Sequence, residues 1–448
     1  MTLTRAEQFQ DGRDRRHRMP RSAHGEWAPA KERADLVDVL TASDSGRLQE
    51  LIPIRFARMA ASPFAFFRGS AAVMASDLAH IPTTGLGVLL CGDCHLVNFG
   101  LFATPERNVV FGVNDFDETM PGPWEWDLKR LTASLVVACQ DSGMDDHDAK
   151  SVAIAGAAAY RRRIAELATM TPLEVWYDRI DLARLIEEAP DKKTRKRRRK
   201  LRRKARRRVA ENVFPKLVDT TAGGLRIADQ PPLIFHLDDV TVESVQGFFS
   251  AYRSSLSRPL QVLFDRYTLR DVAIKVVGVG SVGTRCYVVL FTDDDGKPLL
   301  LQVKEANESV LAPYVPRRPD ALTHHGQRVV TGQRLMQPAS DIFLGYATSP
   351  AGRDFYVRQL RDMKLSVDLI ADVGLMTRYA EFCAAALARA HANTGSAAGI
   401  AGYLGKSDTF DKALGRFSLA YAEQTVHDHH ALVDAINAGR LEATLDTD

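Results

Sequence analysis

Cysteine is scarce in this chain. Five occur in 448 residues, at 91, 94, 139, 286 and 383, too few and too scattered for a disulfide framework. Small stapled secreted scaffolds are thereby excluded. No run of eighteen apolar residues occurs, so no membrane span is expected. The first twenty residues, MTLTRAEQFQDGRDRRHRMP, hold no apolar stretch resembling a signal peptide. A soluble, reduced, cytoplasmic protein is the expectation. Internal repeats are missing too. Acidic residues are absent from 192–208, where fourteen of seventeen positions are Lys or Arg. Taking that +14 from the total of +3 leaves −11 for the rest of the chain. An acidic body therefore carries one intensely basic segment. The segment has no interleaved aromatics, so base stacking is not indicated. Burying so many like charges is prohibitive, which places the run outside the core as an accessory arm. A polyanion, an acidic substrate or another chain all remain open as its partner. The oligomeric state is not legible.

What is present is an ordinary globular balance, 45% apolar and 26% charged, enough to bury a sizeable core. Residues 1–50 are polar and read as a surface-wrapping segment with partial helix. Residues 51–150 carry two short apolar runs, Leu86–Cys91 and Val109–Val113, each ending in a polar motif. Residues 151–260 read as a helical insertion holding the basic run. Residues 262–365 turn β-rich, with Asp293-Asp294-Asp295-Gly296 as a hairpin turn. Residues 366–448 return to amphipathic helix. The expected class is α+β: a mainly helical large lobe and a small antiparallel β lobe.

The first polar motif is Cys91-Gly92-Asp93-Cys94-His95-Leu96-Val97-Asn98, and the second is Val113-Asn114-Asp115-Phe116-Asp117. Phosphoryl transfer needs an oriented acceptor, metal-neutralised phosphates and a carboxylate near the attacking hydroxyl. Asp93 and Asn98 stand five apart, as in the kinase pattern H-R-D-L-x-x-x-N. In that arrangement Asp93 is the base and Asn98 offers its amide oxygen to magnesium. Asp115 follows as the second hard-oxygen ligand, with Asp117 in support. A turn with buried polar caps is the plain alternative. The same residues spell C-x-x-C-H, a haem attachment pattern, but they lie between apolar strands and show no distal ligand.

Gly278-x-Gly280-x-x-Gly283, with Ser281 inside it, is weak evidence alone, since dinucleotide-binding folds share the spacing. There the third glycine opens a helix. Here Thr284–Phe291 is β-branched and aromatic and then turns, which makes a strand–loop–strand hairpin suited to cradling phosphates. Lys304, on the strand after the hairpin, is the expected phosphate lysine. Val272-Ala273-Ile274-Lys275 spells V-A-I-K, but it precedes the loop. The helix expected at Thr323–Met336 contains no Glu to hold Lys304; Glu305 and Glu308 are nearby in sequence. Arg68, in an apolar context, reads as a phosphate contact, a brace for a carboxylate or a structural ion pair. Trp124 and Trp126 read as core. His427-Asp428-His429-His430 reads as solvated helix, because adjacent helical residues do not converge.

The segment Cys91–Leu131 resembles the aminoglycoside phosphotransferase and choline kinase branch of kinase-like enzymes. That branch shows G-D-x-H-x-x-N, then I-D-F-D, then an Asp-Leu pair opening a helix, here Asp127-Leu128. His95 and Asp127 thus enter as supporting residues. Ala386-Leu387-Ala388-Arg389-Ala390-His391-Ala392 resembles the helix that precedes the catalytic loop in that branch. The order is inverted, which implies a circularly permuted, bilobal kinase-like fold. The implied activity is Mg-ATP-dependent transfer to an unknown hydroxyl acceptor, with ATP and Mg2+ as cofactors. Nucleotidyl (AMP) transfer and a nucleotide-binding pseudokinase scaffold with a basic docking arm are the other readings. From about residue 10 to 440 the chain also resembles the bacterial domain-of-unknown-function 2252 family. Arg58–Gly69, the loop Cys91–Asn98, Asn114–Glu118, Pro121–Arg130 and Tyr356–Asp362 carry that likeness.

Overall fold

A computed structural model describes residues 3–188, 191–206, 217–221, 224–238, 240–276, 278–316, 322–360 and 372–444. Arg207 and Arg208 of the basic run, Gly223, Val277, and Arg361 and Asp362 of the last family segment lie outside these residues. The molecule is mixed α and β, and its sheets are antiparallel.

The helical body is built on Trp124–Asp141, Asp146–Leu167, Val373–Thr394 and Thr409–Asn437. The first opens at Trp124, which is core as expected: its indole stacks on Tyr160 at 5.6 Å and donates from Nε1 to Thr84 at 3.0 Å. The break falls at Gly143, where φ is +86°. Asp145 then caps the next helix by accepting from the Asp148 amide at 2.8 Å. Among the described residues, no helix is long and apolar enough to cross a membrane.

The largest sheet has six strands in the order Gly345–Thr348, Asp354–Gln359, Pro298–Glu305, Cys286–Thr292, Thr268–Lys275, Ile234–Phe235. The turn at Asp293–Gly296 closes with the Asp293 amide on Lys297 O at 3.0 Å and Gly296 at φ +76°. Alternation along the strands splits the side chains between two cores. Val289, Phe291, Leu301 and Val303 pack with Phe248, Phe249, Tyr252 and Phe264. Val288, Leu290 and Leu300 pack with Leu217, Ile227 and Ile234 on the other side. Each such apolar side chain contributes about 1.5–3 kcal/mol when fully buried. The described residues of 217–260 therefore differ from the expected helical insertion. They supply an edge strand, a two-stranded ribbon and the helix Val242–Ser254, because a sheet apolar on both faces needs covering on both.

The N-terminal segment is partly helical, at Arg5–Asp14 and Leu36–Ala42, but it does more than wrap. His24 is fully buried, its Nε2 2.7 Å from the Tyr403 hydroxyl. Arg33 bridges two buried carboxylates, with Nε 2.7 Å from Asp77 and Nη2 2.6 Å from Asp428. That corrects the reading of 427–430 as wholly solvated: Asp428 faces inward because Arg33 meets it there. His427 and His430 are exposed.

Candidate active site

The strand Gly87–Leu90 delivers the chain to Cys91, and Gly92 turns it at φ +86°. A side chain at Gly92 would collide with the Glu118 carbonyl, so glycine is required on two counts. Asp127, buried at the head of its helix, holds this turn. Its Oδ2 accepts from the Cys91 amide at 2.7 Å and its Oδ1 from the Gly92 amide at 3.0 Å. Cys91, Cys94 and Asp127 bring ligand-type atoms within 4.8 Å of one another, but the Asp127 oxygens already serve the loop amides. All five cysteines are buried free thiols. Burial holds the Cys94 thiol well above its ordinary value, so it has little thiolate character.

Asp93 follows at the tip. Its Oδ1 accepts from Arg130 Nε at 2.7 Å, and Arg130 also donates from Nη2 to Phe67 O at 2.8 Å while lying over the Phe67 ring. Asp93 Oδ2 stands 3.8 Å from His95 Nε2. His95 Nδ1 accepts from the Val97 amide at 3.2 Å, which leaves any ring proton on the Asp93 side. Burial lowers the His95 pKa to about 4, against the pull of Asp93, so the imidazole is uncharged at neutral pH. Asn98 Nδ2 donates to Asp93 O at 2.8 Å. Its amide oxygen is therefore the atom turned away from the loop. The strand Val109–Val113 runs antiparallel to Phe99–Ala103 and ends at Asn114, whose amide donates to Asn98 O at 2.8 Å. This one bond fixes the aspartates that follow beside Asn98.

Asp115 Oδ1 accepts from the Asp117 amide at 3.2 Å. Asp117 is the junction with the sheet. Its Oδ2 pairs with Lys304 Nζ, and its Oδ1 accepts from the Tyr356 hydroxyl at 2.8 Å. Lys304 Nζ also donates to Ser281 Oγ at 2.7 Å, inside the glycine loop. Burial opposes the Lys304 charge, but Asp117, with Tyr356 and Asp115 adding, raises the ammonium above its ordinary value. The partner of Lys304 is thus Asp117 and the loop serine. Glu305 instead pairs with Arg285 at 3.2 Å and Arg353 at 3.4 Å.

The glycine loop joins Thr268–Lys275 to Cys286–Thr292, the expected strand–loop–strand hairpin, with Gly278 at φ +59° and Gly283 at φ +83°. The N-terminal segment and the helix Ile52–Ala60 that follows it clamp it. Arg47 Nη1 donates to Val282 O at 2.6 Å, Leu48 donates its amide to Gly283 O at 2.8 Å, and Arg58 Nη1 donates to Gly278 O at 2.9 Å. Asp93, His95, Asn98, Asp115, Asp117, Gly278, Gly280, Ser281 and Arg68 line one cleft of about 630 Å³. Gly283 and Lys304 lie just behind its wall. Asp127 is not in the cleft; it supports the loop from below.

Several contributors carried no assigned role in the sequence: Arg130, Tyr356, the clamp from Arg47 and Leu48, and His391, whose Nε2 stands 3.2 Å from Asp127 Oδ2. Arg130 and Tyr356 stand inside the segments Pro121–Arg130 and Tyr356–Asp362, and His391 inside the helix Val373–Thr394, so the signal was proximity to motifs.

The family model described as "Uncharacterized protein conserved in bacteria (DUF2252)" matches residues 47–435. No curated protein and no solved structure matches the chain.

Proposed function

The chain belongs to the bacterial DUF2252 family, and from its cleft we propose that it is a Mg-ATP-dependent phosphotransferase with a permuted kinase-like arrangement, acting on a hydroxyl acceptor. The observation that carries this is the three-way junction at Lys304. That lysine follows the glycine loop in sequence, bonds Ser281 within it, and pairs with Asp117 beside the Asn98–Asp115 ligand set. Loop and carboxylates line a single cleft, and the lysine ties them together from behind its wall.

The donor set suits magnesium, which takes hard oxygens and keeps several waters. Asn98 Oδ1 and the Asp115 carboxylate would hold it, and when bound it neutralises phosphate charge. The chain's own residues do the rest. Gly278, Val279, Gly280 and Ser281 line the cleft, where their backbone amides would receive phosphate oxygens. Arg130 fixes Asp93 through Oδ1, which leaves Oδ2 to accept the proton of the attacking hydroxyl. His95, uncharged, stands behind that oxygen without competing for the proton.

Calorimetry with Mg-ATP tests the reading. Asp115→Ala should abolish metal-dependent nucleotide binding, while Asp93→Ala should retain binding and lose turnover. Unchanged metal-dependent binding in Asp115→Ala overturns the assignment.

A further inference from the structure

We propose that Arg68 is a catalytic cation: its guanidinium binds the phosphoryl group during transfer, between the glycine loop and Asp93. This rests on the phosphotransferase reading and adds to it a residue from outside the motifs that suggested it.

Arg68 ends the short helix Pro63–Gly69. Ser62 caps the start of that helix, accepting from the Ala65 amide at 3.2 Å, and Arg55 Nη2 fixes its end by donating to Gly69 O at 2.8 Å. The position of Arg68 is therefore set from both sides. Its carbonyl lies against the glycine loop, where a Cβ on Gly280 would come within 3.2 Å of it. Its side chain lines the cleft and is close enough to feel the charge of Asp93, and His95 in turn feels Arg68. One residue thus meets the phosphate loop through its backbone and lines the cleft that the proposed base also lines. The space between those two is where a phosphoryl group must pass.

The charge in the cleft argues the same way. Asp93, Asp115, Asp117 and Glu118 all line it, and a polyphosphate entering needs cations that are not already spoken for. Arg130 is bound to Asp93 and Phe67 O. Arg47 is bound to Asp44 and Val282 O, and Arg55 to Asp44 and Gly69 O. Lys304 is paired with Asp117. The Arg68 Nε is buried with no hydrogen-bond partner among the described residues. A buried donor left unsatisfied carries a desolvation cost, and an anionic oxygen in the cleft removes it.

In the step itself the acceptor oxygen attacks the γ-phosphorus. The new O–P bond forms as the bond to the β,γ-bridging oxygen breaks, and its electron pair leaves on ADP. The acceptor proton passes to the Asp93 carboxylate. Arg68 donates N–H bonds to the equatorial oxygens, where charge spreads in the transition state. A planar fork suits those oxygens better than an ammonium does.

The test compares wild type, Arg68→Ala and Arg68→Lys for binding of Mg-ADP with and without aluminium fluoride, a mimic of the phosphoryl in flight. Near-ultraviolet circular dichroism and Mg-ADP affinity control for folding. Wild type should bind Mg-ADP about tenfold tighter or better when aluminium fluoride is added. Both variants should keep Mg-ADP affinity within about twofold and lose that gain, since the contact is to the transferring phosphoryl group, which Mg-ADP lacks. Guanidinium ion should restore part of the gain to Arg68→Ala. A variant that keeps the gain overturns the proposal. A folded variant that loses Mg-ADP binding as well also overturns it, because Arg68 would then be a ground-state contact. If wild type binds no Mg-nucleotide, the phosphotransferase reading itself fails, and this inference falls with it.

Discussion

Asp127 Oδ2 lies 3.2 Å from His391 Nε2, and the same oxygen receives the Cys91 amide at 2.7 Å. His391 Nδ1 stands 2.8 Å from the Tyr160 hydroxyl. With a proton on Nε2, the ring donates to Asp127 and accepts from Tyr160. A helix near the C-terminal end thus reaches, through one buried carboxylate, the loop that presents Asp93. On the permuted kinase-like arrangement proposed above, that helix would be the one expected directly before that loop. In this chain the two are joined by the hydrogen-bonded triad of Asp127, His391 and Tyr160.

Asp127→Asn should therefore cost stability. An amide keeps one acceptor but turns an NH2 toward a loop amide that needs an acceptor. Hydrogen bonds to a charged group are worth about 1.5–3 kcal/mol each, so a loss of roughly 2–4 kcal/mol is expected. Urea denaturation checks it. His391→Ala should cost less, because the two backbone amides retain their carboxylate. Equal stability of Asp127→Asn and wild type would mean that the loop is held by other contacts.

Local features were legible in the sequence because their chemistry is local. The hairpin of Cys286–Thr292 and Pro298–Glu305 announced itself through β-branched runs around Asp-Asp-Asp-Gly. Asp93, Asn98 and Asp115 were readable by spacing. Partners across the chain were not. Arg130 meets Asp93 across 37 residues and Tyr356 meets Asp117 across 239; a single sequence shows residue types and leaves their pairings open. Lys304 is instructive. Glu305 is its neighbour in the chain, yet successive residues on a strand point to opposite faces. That alternation alone excludes Glu305 as its partner, and the structure sends that carboxylate to Arg285 and Arg353. The N-terminal segment misled through polarity: its arginines spend their charge inward, on Asp77, Asp428 and the glycine loop.

His24 predicts an acid sensitivity of known sign. Burial, with Lys129 adding, depresses its pKa to about 3. An unfolded histidine titrates near 6.5. Below that pH the unfolded chain binds a proton that the folded protein refuses, so folding loses stability as pH falls from about 6.5 toward 3. The slope approaches about 1.4 kcal/mol per pH unit. Between pH 7 and 5 wild type should lose roughly 2 kcal/mol more than His24→Gln, which has nothing to titrate there. Urea midpoints at the two pH values give the comparison. Parallel losses in the two proteins would show that His24 takes up a proton in the folded state after all.

The basic run forms the helix Lys192–Arg206 as far as it is described. It is anchored, not free: Leu201 packs against the main core, and Arg198 donates to Leu185 O. Lys192, Arg195, Lys196, Arg199, Arg202 and Arg203 line one shallow groove on its surface. They recur at helical spacing, so their charges add along one stripe. None of them lines the cleft that holds Asp93 and Asp115. Replacing the six with Gln should leave Mg-ATP affinity unchanged and the fold intact, because no buried partner is removed. Binding to a polyanion such as single-stranded DNA should weaken. The dependence of log K on log salt should flatten as well, since every phosphate that the variant no longer neutralises keeps about 0.7 of a counterion on a single strand. Fluorescence anisotropy across a salt series reads both effects. Loss of Mg-ATP binding in the variant would tie the helix to the catalytic body. An unchanged salt slope would remove the docking role and leave the stripe as a solvated face.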